Sequence, residues 1–106
     1  MTTFDEREKG YERKFQRDQE LAFKLKARRH KLIGLWAAGQ LGLAGAAAEA
    51  YAQELATVGL EHHGDDDTIA RISRDLAAKG IAADPTRIRL ELDHCEREAK
   101  RQLGAA

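Results

Sequence analysis

Apolar side chains in the first part of the sequence recur every three, four or seven residues, and this spacing limits the fold more strongly than any other feature. Such spacing gathers side chains on one face of an α-helix, whereas a half-buried strand would need strict alternation. The helix is predicted to begin at Thr3, which can form a capping box with Glu6. Its end is predicted near Gly39 or Gly42. The apolar face consists of Phe4, Tyr11, Phe15, Ala22, Leu25, Leu32 and Trp36.

Three shorter segments show the same helical period, and each is bounded by residues that start or stop helices. The second helix is predicted from about Gly45 to Thr57, with a stop at Gly59. An acidic linker, residues 61–67, leads into a third helix that stops at Gly80. The fourth helix is predicted from Pro85 to about Leu103. Asp84 is the predicted cap of the last helix, and proline suits its first turn. The predicted inward residues are Ala48, Tyr51, Leu55, Val58, Ile69, Ile72, Leu76, Ile88, Leu92, Cys95 and Ala99. The sequence therefore predicts an all-α fold, a four-helix bundle with a long first helix.

Composition favours one helical domain and a reducing compartment. A chain of 106 residues has room for one modest core, and its single proline interrupts few helical segments. The 18 basic and 18 acidic side chains balance, so no global field attracts DNA or an acidic membrane. Cys95 has no second cysteine to pair with, and acidic residues stand where a secretory signal would be apolar. A cytoplasmic location is expected.

The most apolar stretch runs from Leu32 to Ala48 and approaches the roughly 20 residues that span a bilayer. Four glycines and many alanines make this stretch weakly hydrophobic, and closely spaced glycines weaken a helix. A buried bundle helix is therefore expected, without direct membrane insertion.

The predicted first helix is too long for the bundle. It would extend roughly 55 Å, against roughly 28 Å for the fourth helix. We therefore divide the chain into an N-terminal arm, residues 1–18, that projects or is flexible, and a bundle, residues 19–106. The arm keeps Phe4, Tyr11 and Phe15 on one face. This pattern is typical of a helix that docks into a partner's groove, although the aromatics could instead complete the core or be scattered surface residues.

Basic residues are concentrated toward the start of the chain. Residues 1–31 carry ten basic and six acidic side chains, including a cluster at Lys24, Lys26, Arg28, Arg29 and Lys31. The remaining residues carry eight basic and twelve acidic side chains, which would repel a polyanion. A solvated face or docking of an acidic protein is therefore favoured over nucleic-acid binding.

Three residue groups could indicate more specific chemistry, but their spacing does not support it. His62 and His63 precede the aspartates 65–67, a spacing that matches neither a zinc site nor a calcium loop, so a polar linker and helix cap is expected. His94 and Cys95 are adjacent, so on a helix they point in different directions, and a core cysteine is expected. The arginines at 28 and 29 could hold a phosphate, but they have no glycine-rich loop, so nucleotide binding stays open as a less favoured alternative. No catalytic residue, cofactor or metal is predicted, and an enzyme is the least favoured class.

Several motifs together indicate a family. They are Thr2 to Glu8, then Phe23, then Ala27 to Ala38, whose sequence is ARRHKLIGLWAA, followed by Tyr51, Gly64 to Asp67, Asp75 with Leu76, and Ile88 with Arg89. The chain resembles the zeta-subunit family of bacterial, alphaproteobacterial, F-type ATP synthase inhibitor proteins. The resemblance covers essentially the whole length, and the ARR to WAA block is its most specific part.

The resemblance implies a four-helix bundle that binds the catalytic head of the F-type ATP synthase. The N-terminal segment would insert between head subunits near a catalytic nucleotide site, become helical there and block ATP hydrolysis. The inserting segment would begin at Thr3, and its apolar anchors would be Phe4, Tyr11 and Phe15. Charged groups that could pair with the groove are Asp5, Glu6, Arg7, Glu8 and Lys14. The protein is expected to be a monomer when free and, when bound, peripheral to the inner membrane through the synthase.

Two positions depart from the family pattern, which has alanine where Gly10 stands and a hydroxyl cap where Ala44 stands. Glycine weakens a helix interior by up to about 1 kcal/mol relative to alanine, so folding of the arm on binding would be less favourable. The alternatives to an active inhibitor are therefore a member that has lost inhibitory potency and a helical adaptor of another protein complex.

Overall fold

The computed structural model describes residues 3–61 and 64–104, with side chains described from Lys14 onward except those of Phe15 and Leu60. These residues form four α-helices and no strand. The helices are α1 (Thr3–Gln40), α2 (Gly45–Glu61), α3 (Asp65–Ala78) and α4 (Pro85–Gln102). The predicted all-α four-helix bundle is therefore confirmed.

The core lies where the second half of α1 packs against α2 and α4, with α3 closing the bundle against both of them. Every predicted inward residue of α3 and α4 is buried, because these helices carry large apolar side chains at regular spacing. The core cluster consists of Ile33, Ala37, Ala38, Tyr51, Leu55, Ile69, Ile72, Leu76, Ile88, Leu92 and Cys95.

The buried face of α1 differs from the predicted one. Leu32 and Trp36 are only partly buried at the edge of the core, whereas His30 and Ile33 are almost fully buried. The reason is the size of the residues that meet α2. A Cβ added to Gly34 would lie 2.7 Å from the Cα of Ala52, so the two helix backbones approach closely along a face of small side chains.

The predicted stop of α2 at Gly59 is wrong, since the helix continues to Glu61. Gly59 is buried within the helix, and the side chain that an alanine would place there overlaps the imidazole of His30. Glycine is thus required at this position by a close approach between helices and not by a left-handed turn.

The boundaries of α3 and α4 largely follow the prediction. Gly80 has a φ of 73°, a left-handed conformation that suits glycine at the end of α3. The carboxylate of Asp84 accepts a hydrogen bond of 2.9 Å from the backbone N–H of Thr86, as expected of a helix cap. The predicted acidic linker is shorter than expected, because aspartates 65–67 form the first turn of α3. His62 and His63 lie outside the described residues.

The molecule is elongated, with principal extents of 67 × 25 × 23 Å. At 1.5 Å per residue the 38 residues of α1 extend about 57 Å, so this helix sets the long dimension. The apolar stretch from Leu32 to Ala48 is not one helix, since it includes the end of α1, a connection and the start of α2. Among the helices described, none combines the length and apolarity needed to cross a membrane.

Candidate partner-binding surface

The N-terminal half of α1 extends beyond the bundle. Every described side chain from Lys14 to Lys24 is exposed, and partial burial begins at Leu25. The exposed helix therefore continues past residue 18, where the sequence suggested that the arm would end. The bundle holds α1 only from about Leu25 to Gln40.

Most of the predicted binding residues lie in the first turns of α1. The backbone there is helical from Thr3 onward, so positions 4, 11 and 15 share one side of a continuous helix. Among the predicted residues, Lys14 is the one with a described side chain, and it is exposed. The side chains of Thr3, Phe4, Asp5, Glu6, Arg7, Glu8, Tyr11 and Phe15 lie outside the described part of the structure, so their roles stay predictions.

An ion pair fixes α1 to the start of α3 close to the point where α1 leaves the bundle. The guanidinium of Arg29 donates hydrogen bonds to both carboxylate oxygens of Asp65, at 2.7 and 3.4 Å. The side chain of Arg29 is 15% exposed and that of Asp65 is 30% exposed, so this pair is better shielded from water than a surface salt bridge. Asp65 also lies in the first turn of α3, where a negative charge is favourable.

His30 contributes a second connection at the same level of α1. The ring is 1% exposed, and its Nδ1–H donates a hydrogen bond of 2.9 Å to the backbone oxygen of Lys26. Nε2 is buried without a hydrogen-bond partner among the described groups. Burial is the main cause that lowers the pKa of His30, with the charge of Arg29 acting in the same direction. The ring is therefore neutral and serves packing, with Gly59 of α2 against it.

A polar network joins α2 to α3. The hydroxyl of Tyr51 donates to Asp75 at 2.8 Å, and Nε of Arg71 donates to the same carboxylate oxygen at 2.8 Å. Arg71 also donates to Glu54 at 3.0 Å, and its guanidinium lies over the Tyr51 ring. Burial and the hydrogen bond to Asp75 raise the pKa of Tyr51, so its hydroxyl remains a donor. The network stabilises the bundle, and sequence reasoning named Tyr51 and Asp75 without pairing them.

The residues considered above as possible catalytic or metal-binding groups do not form a reactive site where the structure describes them. Cys95 is buried in the core, as predicted, and burial raises the pKa of its thiol to about 11, which disfavours the reactive thiolate. His94, its neighbour, is exposed. Among the residues whose side chains the structure describes, no three histidine, cysteine or acidic side chains are grouped in a way that could hold a metal ion.

Sequence reasoning missed a groove beside α1, because its residues are far apart in the chain. Phe23 and Ala27 of α1 form one wall, Gln53 and Ala56 of α2 the other, and Leu103 after α4 closes one side. Phe23 is 57% exposed, which is unusual for so large an apolar side chain. The one signal in the sequence was an aromatic residue just before the basic cluster.

These features define a helical-bundle protein whose first helix extends well beyond its own core. The chain belongs to the family ATPase inhibitor subunit zeta, whose pattern matches residues 1–102. The match spans the extension of α1 and all four helices, and it confirms the family suggested by the sequence motifs. The family is one of inhibitor subunits, and membership supports an inhibitory role for this chain. Comparisons with curated proteins and with solved structures found no match.

Proposed function

We propose that the protein inhibits ATP hydrolysis by the F-type ATP synthase, and that residues 1–18 insert at a catalytic subunit interface of the head. The observation that carries this proposal is the exposed extension of α1 in a member of an inhibitor family. A helix that its own bundle leaves uncovered has its whole circumference free for a partner.

The arm has the residue pattern that a groove-binding helix needs. Positions 4, 11 and 15 are aromatic and share one side of α1, so they can serve as anchors in apolar pockets. The rim of the partner's groove can pair with charged side chains of the arm. These are the residues from Asp5 to Glu8 and the exposed Lys14. The mechanism is steric, because a helix wedged between head subunits prevents the interface changes that hydrolysis requires.

The bundle limits how far the arm can enter. Its cross-section of about 25 × 23 Å is wider than a single helix, which is about 10–12 Å across with its side chains. A cleft that accepts the arm would therefore exclude the bundle, which would remain on the outer surface of the head. The free protein is a monomer in this account, and it is located in the cytoplasm at the inner membrane through the synthase.

The test is a titration of ATP hydrolysis by the detached catalytic head. The full-length protein should inhibit saturably, and the full-length Phe4→Asp, Tyr11→Asp variant should not, because charges at the anchors cannot enter apolar pockets. The matched control, Leu90→Asp, changes an apolar side chain that is 63% exposed on α4 and should inhibit like the wild type. Equal inhibition by all three proteins would contradict the role of the arm, and no inhibition by any of them would contradict inhibition itself.

A further inference from the structure

Six exposed residues form a stripe along α1 at alternating intervals of three and four. They are Lys14, Arg17, Leu21, Lys24, Arg28 and Lys31, here called the basic ridge. Residues at these intervals lie on one face of a helix, and the ridge extends about 26 Å. It begins in the arm and continues along the bundle, so it is not confined to the predicted inhibitory segment.

The ridge carries little compensating charge. Residues 14–31 contain seven basic and two acidic side chains. Lys31 pairs with Glu49 of α2 at 3.7 Å, and among the residues with described side chains the other four basic members of the ridge form no ion pair. Basic groups held on one rigid helix create a local positive field in a chain whose net charge is zero.

An apolar groove runs beside this field. Lys24, Arg28 and Lys31 line the same groove as Phe23 and Ala27, with Ala56 and Leu103 opposite. Phe23 is 57% exposed in this groove, so its ring is accessible to an apolar side chain of a partner. The combination of an apolar groove and a basic rim fits a partner that offers both an apolar side chain and carboxylates.

We propose that the part of the basic ridge beyond the arm, from Leu21 to Lys31, forms a second docking surface with the groove, and that it receives an acidic amphipathic helix of the catalytic head. This inference rests on the proposed function. Carboxylates at helical spacing on the partner would meet the ridge, and an apolar residue of the same helix would occupy the groove beside Phe23. Nucleic acid fits less well, since it offers no apolar side chain and the rest of the protein carries eight basic and twelve acidic residues.

The position of the ridge gives it a role in affinity. Because ridge and arm lie on one continuous helix, docking of one holds the other near its site and makes the second contact intramolecular. The field of the ridge also speeds the first encounter with an acidic surface, and this effect weakens as salt increases. The ridge would therefore control how fast the inhibitor binds, and the arm would control whether hydrolysis stops.

The test compares charge reversals in the full-length protein. The ridge variant is Lys24→Glu, Arg28→Glu, and the control is Lys79→Glu, Arg97→Glu, which changes two exposed basic residues elsewhere and alters the net charge equally. Binding to the immobilised catalytic head is measured at low and at physiological salt, and circular dichroism checks folding. At low salt the association rate of the ridge variant should fall at least about tenfold, and that of the control should stay within about twofold. The milder Lys24→Gln, Arg28→Gln variant should lie between them.

The outcomes separate this inference from the proposed function. If the ridge variant binds like the control while the wild type inhibits, the second docking surface is overturned and the inhibitor role stands. If the Phe4→Asp, Tyr11→Asp variant binds through the ridge but the wild type does not inhibit, the surface is supported and the inhibitor role fails. Absence of any binding by the wild type overturns both. Competition by duplex DNA that is lost in the ridge variant but kept in the control would assign the ridge to nucleic acid and overturn the inference.

Discussion

Gly59 of α2 lies against the imidazole ring of His30 of α1, so closely that a Cβ at position 59 would overlap the ring. Both residues are buried, and this contact lies just above the point where α1 leaves the bundle. The pair therefore determines how closely α2 approaches the base of the exposed helix.

Substitution of Gly59 by alanine should destabilise the bundle. The added methyl group has no space beside His30, and overpacking of this kind costs about 1–3 kcal/mol, more than the gain of up to about 1 kcal/mol from replacing a helical glycine. The free energy of unfolding, measured by chemical denaturation, should fall for Gly59→Ala. In a His30→Ala background the same substitution should be neutral or stabilising, because the ring that it meets is gone.

Gly39→Ala is the matched control for this prediction. Gly39 is also in a helix, but nothing lies within 4 Å of the position its Cβ would take. The substitution should leave stability unchanged or raise it slightly. Destabilisation of equal size by both alanines would mean that the contact with His30 has no special part in it.

The burial of His30 predicts a loss of stability in mild acid. Its pKa is lowered in the folded protein from the ordinary value of 6.5, so below that pH the unfolded chain takes up a proton that the folded state resists. The stabilisation is complete above pH 6.5 and decreases as the pH falls, until the folded state is protonated as well. Thermal unfolding between neutral and mildly acidic pH should show this decrease in the wild type and less of it in His30→Gln. His94→Gln, at an exposed position, should behave like the wild type.

Cys95 should be unreactive until the protein unfolds. The thiol is buried, and its pKa is raised to about 11, so the nucleophilic thiolate is both rare and inaccessible. A thiol-specific reagent added at neutral pH should modify the native protein far more slowly than the protein in denaturant. Rapid modification in native buffer, without loss of helical circular dichroism, would contradict the core position of Cys95.

Much of α3 and α4 could be predicted from the sequence because their signals are local. Asp84 and Pro85 start α4, Gly80 ends α3, and large aliphatic residues mark the buried face of each helix. The buried face of α1 could not be predicted in the same way. It is formed by a histidine, a glycine and alanines, and periodicity based on large apolar residues instead favoured Leu32 and Trp36.

The candidate binding surface could also be predicted only in part from the sequence. Aromatic spacing in the arm and the clustering of basic residues are visible in the first 31 residues. The groove beside Phe23 was not visible, because Ala56 and Leu103 reach it only through the packing of three helices. The contact of Gly59 with another helix was not visible in the sequence either. A glycine near the end of a helical pattern more often ends the helix than packs against a second helix.

Gly10 should reduce the potency of the arm, and its replacement by alanine should restore it. Glycine inside α1 disfavours the helix by up to about 1 kcal/mol, which corresponds to about fivefold in an equilibrium constant. Gly10→Ala should therefore lower the concentration that half-inhibits the catalytic head by up to about fivefold. Gly39→Ala is again the control, since it adds the same methyl group to α1 outside the arm. Weaker inhibition by Gly10→Ala would indicate that position 10 needs a glycine for contact with the partner.

The location of the arm in the complex is the measurement that tests the central claim most directly. A photoreactive phenylalanine analogue can replace Tyr11 or Phe15 in the full-length protein, and Leu90 on α4 in the control. After illumination with the catalytic head during ATP hydrolysis, positions 11 and 15 should cross-link to the subunits that form a catalytic interface, while position 90 should not. Cross-links from position 90 with none from the arm would contradict the account, because the bundle and not the extension of α1 would then be the part that enters the interface.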